Sequence, residues 1–147
     1  MPGNERQRLQ TKLYRQQHGE ILRLLDQVVR LMHSASEQEI CLELSRLAGV
    51  VKLHLALEDQ HMYPRMLEHT DTVVQQAAHE YKASMAEFAL EYVAFHDKWM
   101  RNGAVSDARL EFIKEFKGVS DVLRARISHE NQGLYDLIDQ KDIKLAS

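Results

Sequence analysis

A chain of 147 residues, 44% hydrophobic and 28% charged, is long enough to build one self-sufficient core and too apolar for disorder. A net charge of −3 gives no electrostatic footing for nucleic acid or an anionic membrane. One cysteine, Cys41, excludes an internal disulfide and fits a reducing, cytoplasmic setting; neither a signal peptide nor an apolar run of membrane-spanning length is evident.

Asn4 is placed to cap a first helix over about residues 5–32, whose inward stripe is Tyr14, His18, Leu22, Leu25, Val29 and Met32. Ser36 and Glu39 form a capping box for a second helix over 37–67. Its stripe is Ile40, Leu44, Leu47, Val51, His54, Glu58 and His61, with Pro64 expected to kink or end it. His54, Glu58 and His61 stand at i, i+4 and i+7, on one helical face with the leucines before them. Burying such groups unpartnered costs roughly 2 to 7 kcal/mol each even when neutral, so something must compensate them.

Asp71 or Thr72 caps a third helix over 72–101, with Val74, Ala78, Tyr81, Met85, Phe88, Tyr92, Phe95 and Trp99 inward and a stop at Asn102-Gly103. Ser106 or Asp107 caps a fourth over 107–139, with Leu110, Ile113, Phe116, Val119, Leu123, Arg126, Ile127, Glu130, Leu134 and Leu137 inward. Nothing reads as a strand. The expectation is a single all-α domain over 1–147, an antiparallel up-down-up-down four-helix bundle.

Counted down from a shared end, His18, His54, Glu58, Tyr81, Arg126 and Glu130 fall in one slab on the order of 15 Å deep. His79 and His129 lie off their stripes, and His33 and His69 sit at turns. Histidines and carboxylates projecting from several sides of a helical bundle are a recurring metal-site design, with hard or borderline metals such as iron favoured. No Ser/His/Asp or Cys/His nucleophile can be assembled from the inward residues, and the sequence lacks an ExxH motif from each of two helices, as a di-iron oxidase needs, so a non-enzymatic role is expected.

With His18 in the first helix, HLALEDQHMYPRML (54–67) in the second and VLRARISHENQGLYDLI (122–138) in the fourth, the chain resembles the hemerythrin-like (HHE) family. That resemblance implies a carboxylate-bridged di-iron centre that binds dioxygen or another small ligand, or that senses or stores iron. It implies His18, His54, Glu58 and Glu130 as ligands; helical phase adds His61 as a further candidate, and His79 and His129 are weaker ones. The chain departs from the pattern in two places. Arg126 holds the position of the fourth-helix histidine, and the third helix offers only His79, with Ala83 four residues on. Non-haem iron is therefore expected to bind only in part or not at all. The alternative expectation is a metal-free sensory or protein-interaction module in which Arg126 bridges Glu58 and Glu130, beside Tyr81, and replaces the metal charge. A homo-oligomer or a partner protein fits either reading.

Overall fold

The computed structural model describes the backbone of residues 2–145 and the side chains from Gln10 onward. Within that range it is helical, with no strand. The first run is α1 (Pro2–Leu31). The second is α2 (Glu37–Leu57), a π-helical turn π1 (Glu58–Met62) and α3 (Tyr63–Leu67), in unbroken succession. The third is α4 (Thr72–Trp99). After the single turn α5 (Ala104–Asp107), the fourth comprises α6 (Arg109–His129), a second π-helical turn π2 (Glu130–Tyr135) and α7 (Asp136–Gln140).

Local chemistry sets these boundaries. Ser36 Oγ accepts from the Glu39 backbone N–H, and Asp71 Oδ1 accepts from Val73, satisfying donors that a helix start leaves orphaned. α4 stops before Gly103, whose φ of 85° is a conformation glycine adopts without a Cβ clash. The expected cap at Asn4 falls inside α1, and its side chain lies outside the described part. Ser106 and Asp107 do not cap the fourth run, because they belong to α5; the N-cap of α6 is Ala108, which makes no side-chain cap. Glu37 supplies acceptors there instead, taking the N–H groups of Gly103 and Ser106 at 2.9 and 3.0 Å.

Long-range bonds close both ends. Arg109 donates to the carbonyls of Met32 and Ala35, which brings the first and last interhelical turns together. At the other end Thr11 Oγ1 donates to Asp139 at 2.6 Å, and Lys141 pairs with Asp71 at 2.8 Å. Between them lie two apolar clusters. One gathers Ile21, Leu24, Leu25, Val28, Leu44, Leu47, Phe95, Trp99, Phe112 and Phe116. The other gathers Tyr14, Met62, Tyr63, Met66, Val74, Leu134, Tyr135 and Ile138, closed over by Ile143 and Leu145. In α1 the buried phase is Ile21, Leu24 and Val28 rather than Leu22 and Val29, and Leu110 is 83% exposed while Phe112 is buried. No helix among the described residues is long and apolar enough to cross a membrane.

The two π-turns position the polar side chains of the interior. A π-turn inserts one residue into a helical turn, so every side chain beyond it is rotated by about 100° from the α phase. In π1 the Tyr63 N–H reaches back five residues to the Glu58 carbonyl. Pro64 follows at once; its ring would clash with the carbonyl of Gln60 in a tight α-turn, and the wider turn relieves that contact. In π2 the residue without a side chain is Gly133, and any Cβ there would overlap the Tyr81 hydroxyl. Each π-turn opens on a buried glutamate, Glu58 and Glu130.

Candidate metal centre

Between the two apolar clusters lies a buried layer supplied by α1, α2, π1 and π2. His18 comes from α1, His54 from the last turn of α2, Glu58 from π1, and Glu130 and Tyr135 from the two ends of π2; all five are buried. The two imidazoles are oriented from behind. His18 Nδ1 donates to Asn131 Oδ1 and His54 Nδ1 to Gln17 Oε1, each at 2.8 Å. Both Nε2 atoms therefore point inward, 3.0 Å apart.

Oxygen atoms complete the ring. Glu130 Oε1 lies 2.9 Å from His18 Nε2 and 3.8 Å from His54 Nε2, and Glu58 Oε2 lies 3.3 Å from His54 Nε2. The Tyr135 hydroxyl donates to Glu58 Oε2 at 2.7 Å and stands 3.2 Å from each Nε2 and 3.3 Å from Glu130 Oε1. Glu58 Oε1 is buried without a hydrogen-bond partner.

The electrostatics follow from the crowding. Burial disfavours charge on His54, but the carboxylates of Glu130 and Glu58 outweigh it and hold its pKa up, at about 9. Burial likewise opposes the ionised form of Glu130, yet the imidazoles of His18 and His54 bring it down to about 2. Glu58 moves the other way, raised by burial and by the neighbouring Glu130 charge. Burial and the same two carboxylates push the Tyr135 hydroxyl well above its usual range. Five donor atoms thus crowd around the protons of Tyr135, His54 and, with its pKa raised, Glu58, protons that make up a deficit of positive charge among them.

A cation fits that deficit geometrically. Donors about 2.1 Å from one ion lie about 3.0 Å apart along an octahedral edge and about 3.4 Å apart in a tetrahedron. The donor pairs in contact are separated by 2.7 to 3.8 Å, with Glu58 joined to the ring through His54 and Tyr135. Ligand atoms of His18, His54 and Glu130 all fall within 4.8 Å of one another, and no other such group of three converges among the described residues.

The other sequence candidates lie elsewhere. His61 is half-buried and off the cluster, because π1 turns Met62 into the inward place. His79 and His129 are exposed; the His129 ring packs against Tyr81, whose hydroxyl donates to the His129 carbonyl. Arg126 does not bridge the carboxylates: it makes no ion pair with Glu58 or Glu130, donates to Ser84 Oγ at 2.5 Å, and lies over the Phe88 ring. Its Nε is buried without a partner. The salt-bridged substitute for a metal is therefore not formed. Tyr135 is the residue that sequence periodicity misses. Five residues past Glu130 it would lie about 140° away on an α-helix, and Gly133 inside an otherwise good helix is the one sign of a wider turn.

Two cavities adjoin the layer. A void of about 10 Å³ lies among His18, His54, Arg126 and Glu130 and the apolar side chains around them. A solvent-open cavity of about 280 Å³ is lined by Glu80, Tyr81, Ser84, Arg126, His129 and Glu130. Arg126 and Glu130 line both.

An all-helical domain holding a buried histidine–carboxylate cluster of this kind is built like the helical proteins that can hold a metal ion. More specifically, the chain belongs to the hemerythrin HHE cation-binding domain family, whose model matches residues 10–138. No curated protein and no solved structure matches the chain.

Proposed function

We propose that this is a non-enzymatic, hemerythrin-like domain, an antiparallel four-helix bundle that holds one iron ion through His18, His54, Glu58 and Glu130 and works in binding or sensing a small ligand, redox state or iron itself. The observation that supports it most is the ring of donor atoms at coordination-edge spacing, with the buried Glu58 Oε1 unpartnered beside it. Two imidazoles with two carboxylates suit iron among the available metals. Iron held there supplies a centre that changes oxidation state and takes a small ligand such as dioxygen.

The chain's own residues do the rest. Asn131 and Gln17 fix the imidazole orientation through Nδ1, as partners behind metal-binding histidines commonly do. The apolar clusters on either side keep bulk water from the layer. Arg126, between the solvent-open cavity and the inner void, stands where a small ligand would enter. A second iron has little support, since α4 directs no histidine or carboxylate to the layer and Arg126 fills the place of a fourth-helix ligand. The lone cysteine favours a cytoplasmic setting.

Metal analysis of protein produced with added iron tests the reading. The expected result is about one iron per chain, lost on His54→Ala substitution while helicity is kept. A metal-free protein that takes up no iron on titration would overturn it.

A further inference from the structure

We propose that Tyr135 is itself a metal ligand, and that its phenolate makes the site selective for ferric iron. This rests on the metal-binding reading of the same layer and says which ion that site prefers.

The position of the hydroxyl carries the inference. Tyr135 Oη touches every other donor of the ring: 2.7 Å to Glu58 Oε2, 3.2 Å to each Nε2 and 3.3 Å to Glu130 Oε1. Those are the separations that His18, His54 and Glu130 keep among themselves and that Glu58 keeps to His54, so the oxygen stands where one more vertex of the same polyhedron would be. A buried tyrosine that only packs needs one acceptor for its single proton. This one donates to Glu58 and stands equally close to three further ligand atoms, four contacts for a group with a single proton to give, an arrangement a shared cation satisfies.

The other tyrosines near the layer differ. Tyr14 donates to the Leu57 carbonyl, Tyr81 donates to the His129 carbonyl, and the Tyr63 hydroxyl is buried without a partner. None shares the contacts of Tyr135 with both imidazoles.

Charge selects the ion. Glu58, Glu130 and a Tyr135 phenolate carry three negative charges, and the two imidazoles bind as neutral ligands. A trivalent ion leaves the buried layer neutral, whereas a divalent ion leaves one uncompensated negative charge in a setting where such charge is costly. The protons balance as well. When ferric iron enters, the Tyr135 O–H bond would break as an iron–oxygen bond forms and the His54 Nε2–H bond as an iron–nitrogen bond forms; both protons leave to water, and no electron is transferred.

The test loads the full chain with a ferric chelate and follows iron content, visible absorption and resonance Raman scattering. The expected result is iron bound with a tyrosinate-to-iron charge-transfer band. Tyr135→Phe, which keeps the ring, should abolish the band and weaken ferric binding by more than the roughly 10- to 100-fold that partners behind a ligand command. Its affinity for zinc should change far less. Tyr63→Phe and Tyr81→Phe should keep the band. If the wild-type chain takes up no ferric iron, the metal-binding reading falls and this inference with it. If iron is bound but the band is absent, survives in Tyr135→Phe, or disappears in Tyr63→Phe or Tyr81→Phe instead, this inference alone is overturned.

Discussion

Around Trp99, the rings of Phe95, Phe112 and Phe116 pack with centroids 5.3 to 6.2 Å apart on helices of unbroken α geometry. Around Tyr135 two of the helical runs widen by a residue and turn five polar atoms towards one another. The first region gains free energy from every side chain it buries, at about 25 cal/mol per Å² of apolar surface removed from water. The second loses free energy on burial and recovers it only through hydrogen bonds, shared protons or a cation. The difference separates two tasks: the aromatic region holds the helices in place, and the polar layer uses that rigidity to keep donors at fixed spacing without helping the chain fold.

Substitutions should divide along the same line. The largest effect is expected from His54→Ala, which should bring iron content from about one per chain to background with the fold retained, as read by elemental analysis and circular dichroism. Trp99→Ala should do the opposite, lowering stability in chemical denaturation by about 3–5 kcal/mol while iron stoichiometry in the folded protein is unchanged. Asn131→Ala acts behind the layer; it should weaken metal binding by about 10- to 100-fold in competition titrations and lower the stability of the metal-free protein by about 1–3 kcal/mol, since His18 Nδ1 loses its acceptor.

The smallest effect is a proton count. Because the carboxylates hold His54 at about 9, the metal-free site carries its proton at neutral pH and must release it to an incoming ion. Metal affinity should therefore rise with pH until about 9 and level off above it. Calorimetry in buffers of different ionisation heat should show about one proton released with zinc and about one more with ferric iron. Equal release for both ions would blur the distinction between Tyr135 and an ordinary packing tyrosine.

What sequence can reveal differs between the same two regions. In the aromatic half Phe88, Phe95 and Trp99 are legible from their 3.6 spacing, and the starts at Ser36 and Asp71 and the stop at Gly103 from cap chemistry. The miss in α1 has a simple cause: Ile21-Leu22, Leu24-Leu25 and Val28-Val29 are apolar doublets, so either phase reads as a stripe and only packing decides. In the polar layer, inward phase is enough to bring forward His18, on the unbroken α1, and His54, Glu58 and Glu130, which lie before or at the start of a widened turn. His61 and Tyr135 lie within or at the end of one. Counting by α periodicity therefore places the first inside and the second outside, the reverse of what the chain does. Matching depth gives Arg126 a charged partner in Glu58, but depth says nothing about which way a long side chain reaches; Ser84 and Phe88 receive it instead.

The extra residue in π2 ties two fates together. Removing any one residue from Asn131 to Leu134 would restore ordinary helical winding, swing the phenol out of the ring and displace Ile138, Ile143 and Leu145 from the cluster they close. The candidate metal site can therefore be altered by exchanging side chains but not by shortening the segment, because a deletion would forfeit the sealed end of the molecule along with the ring of donors.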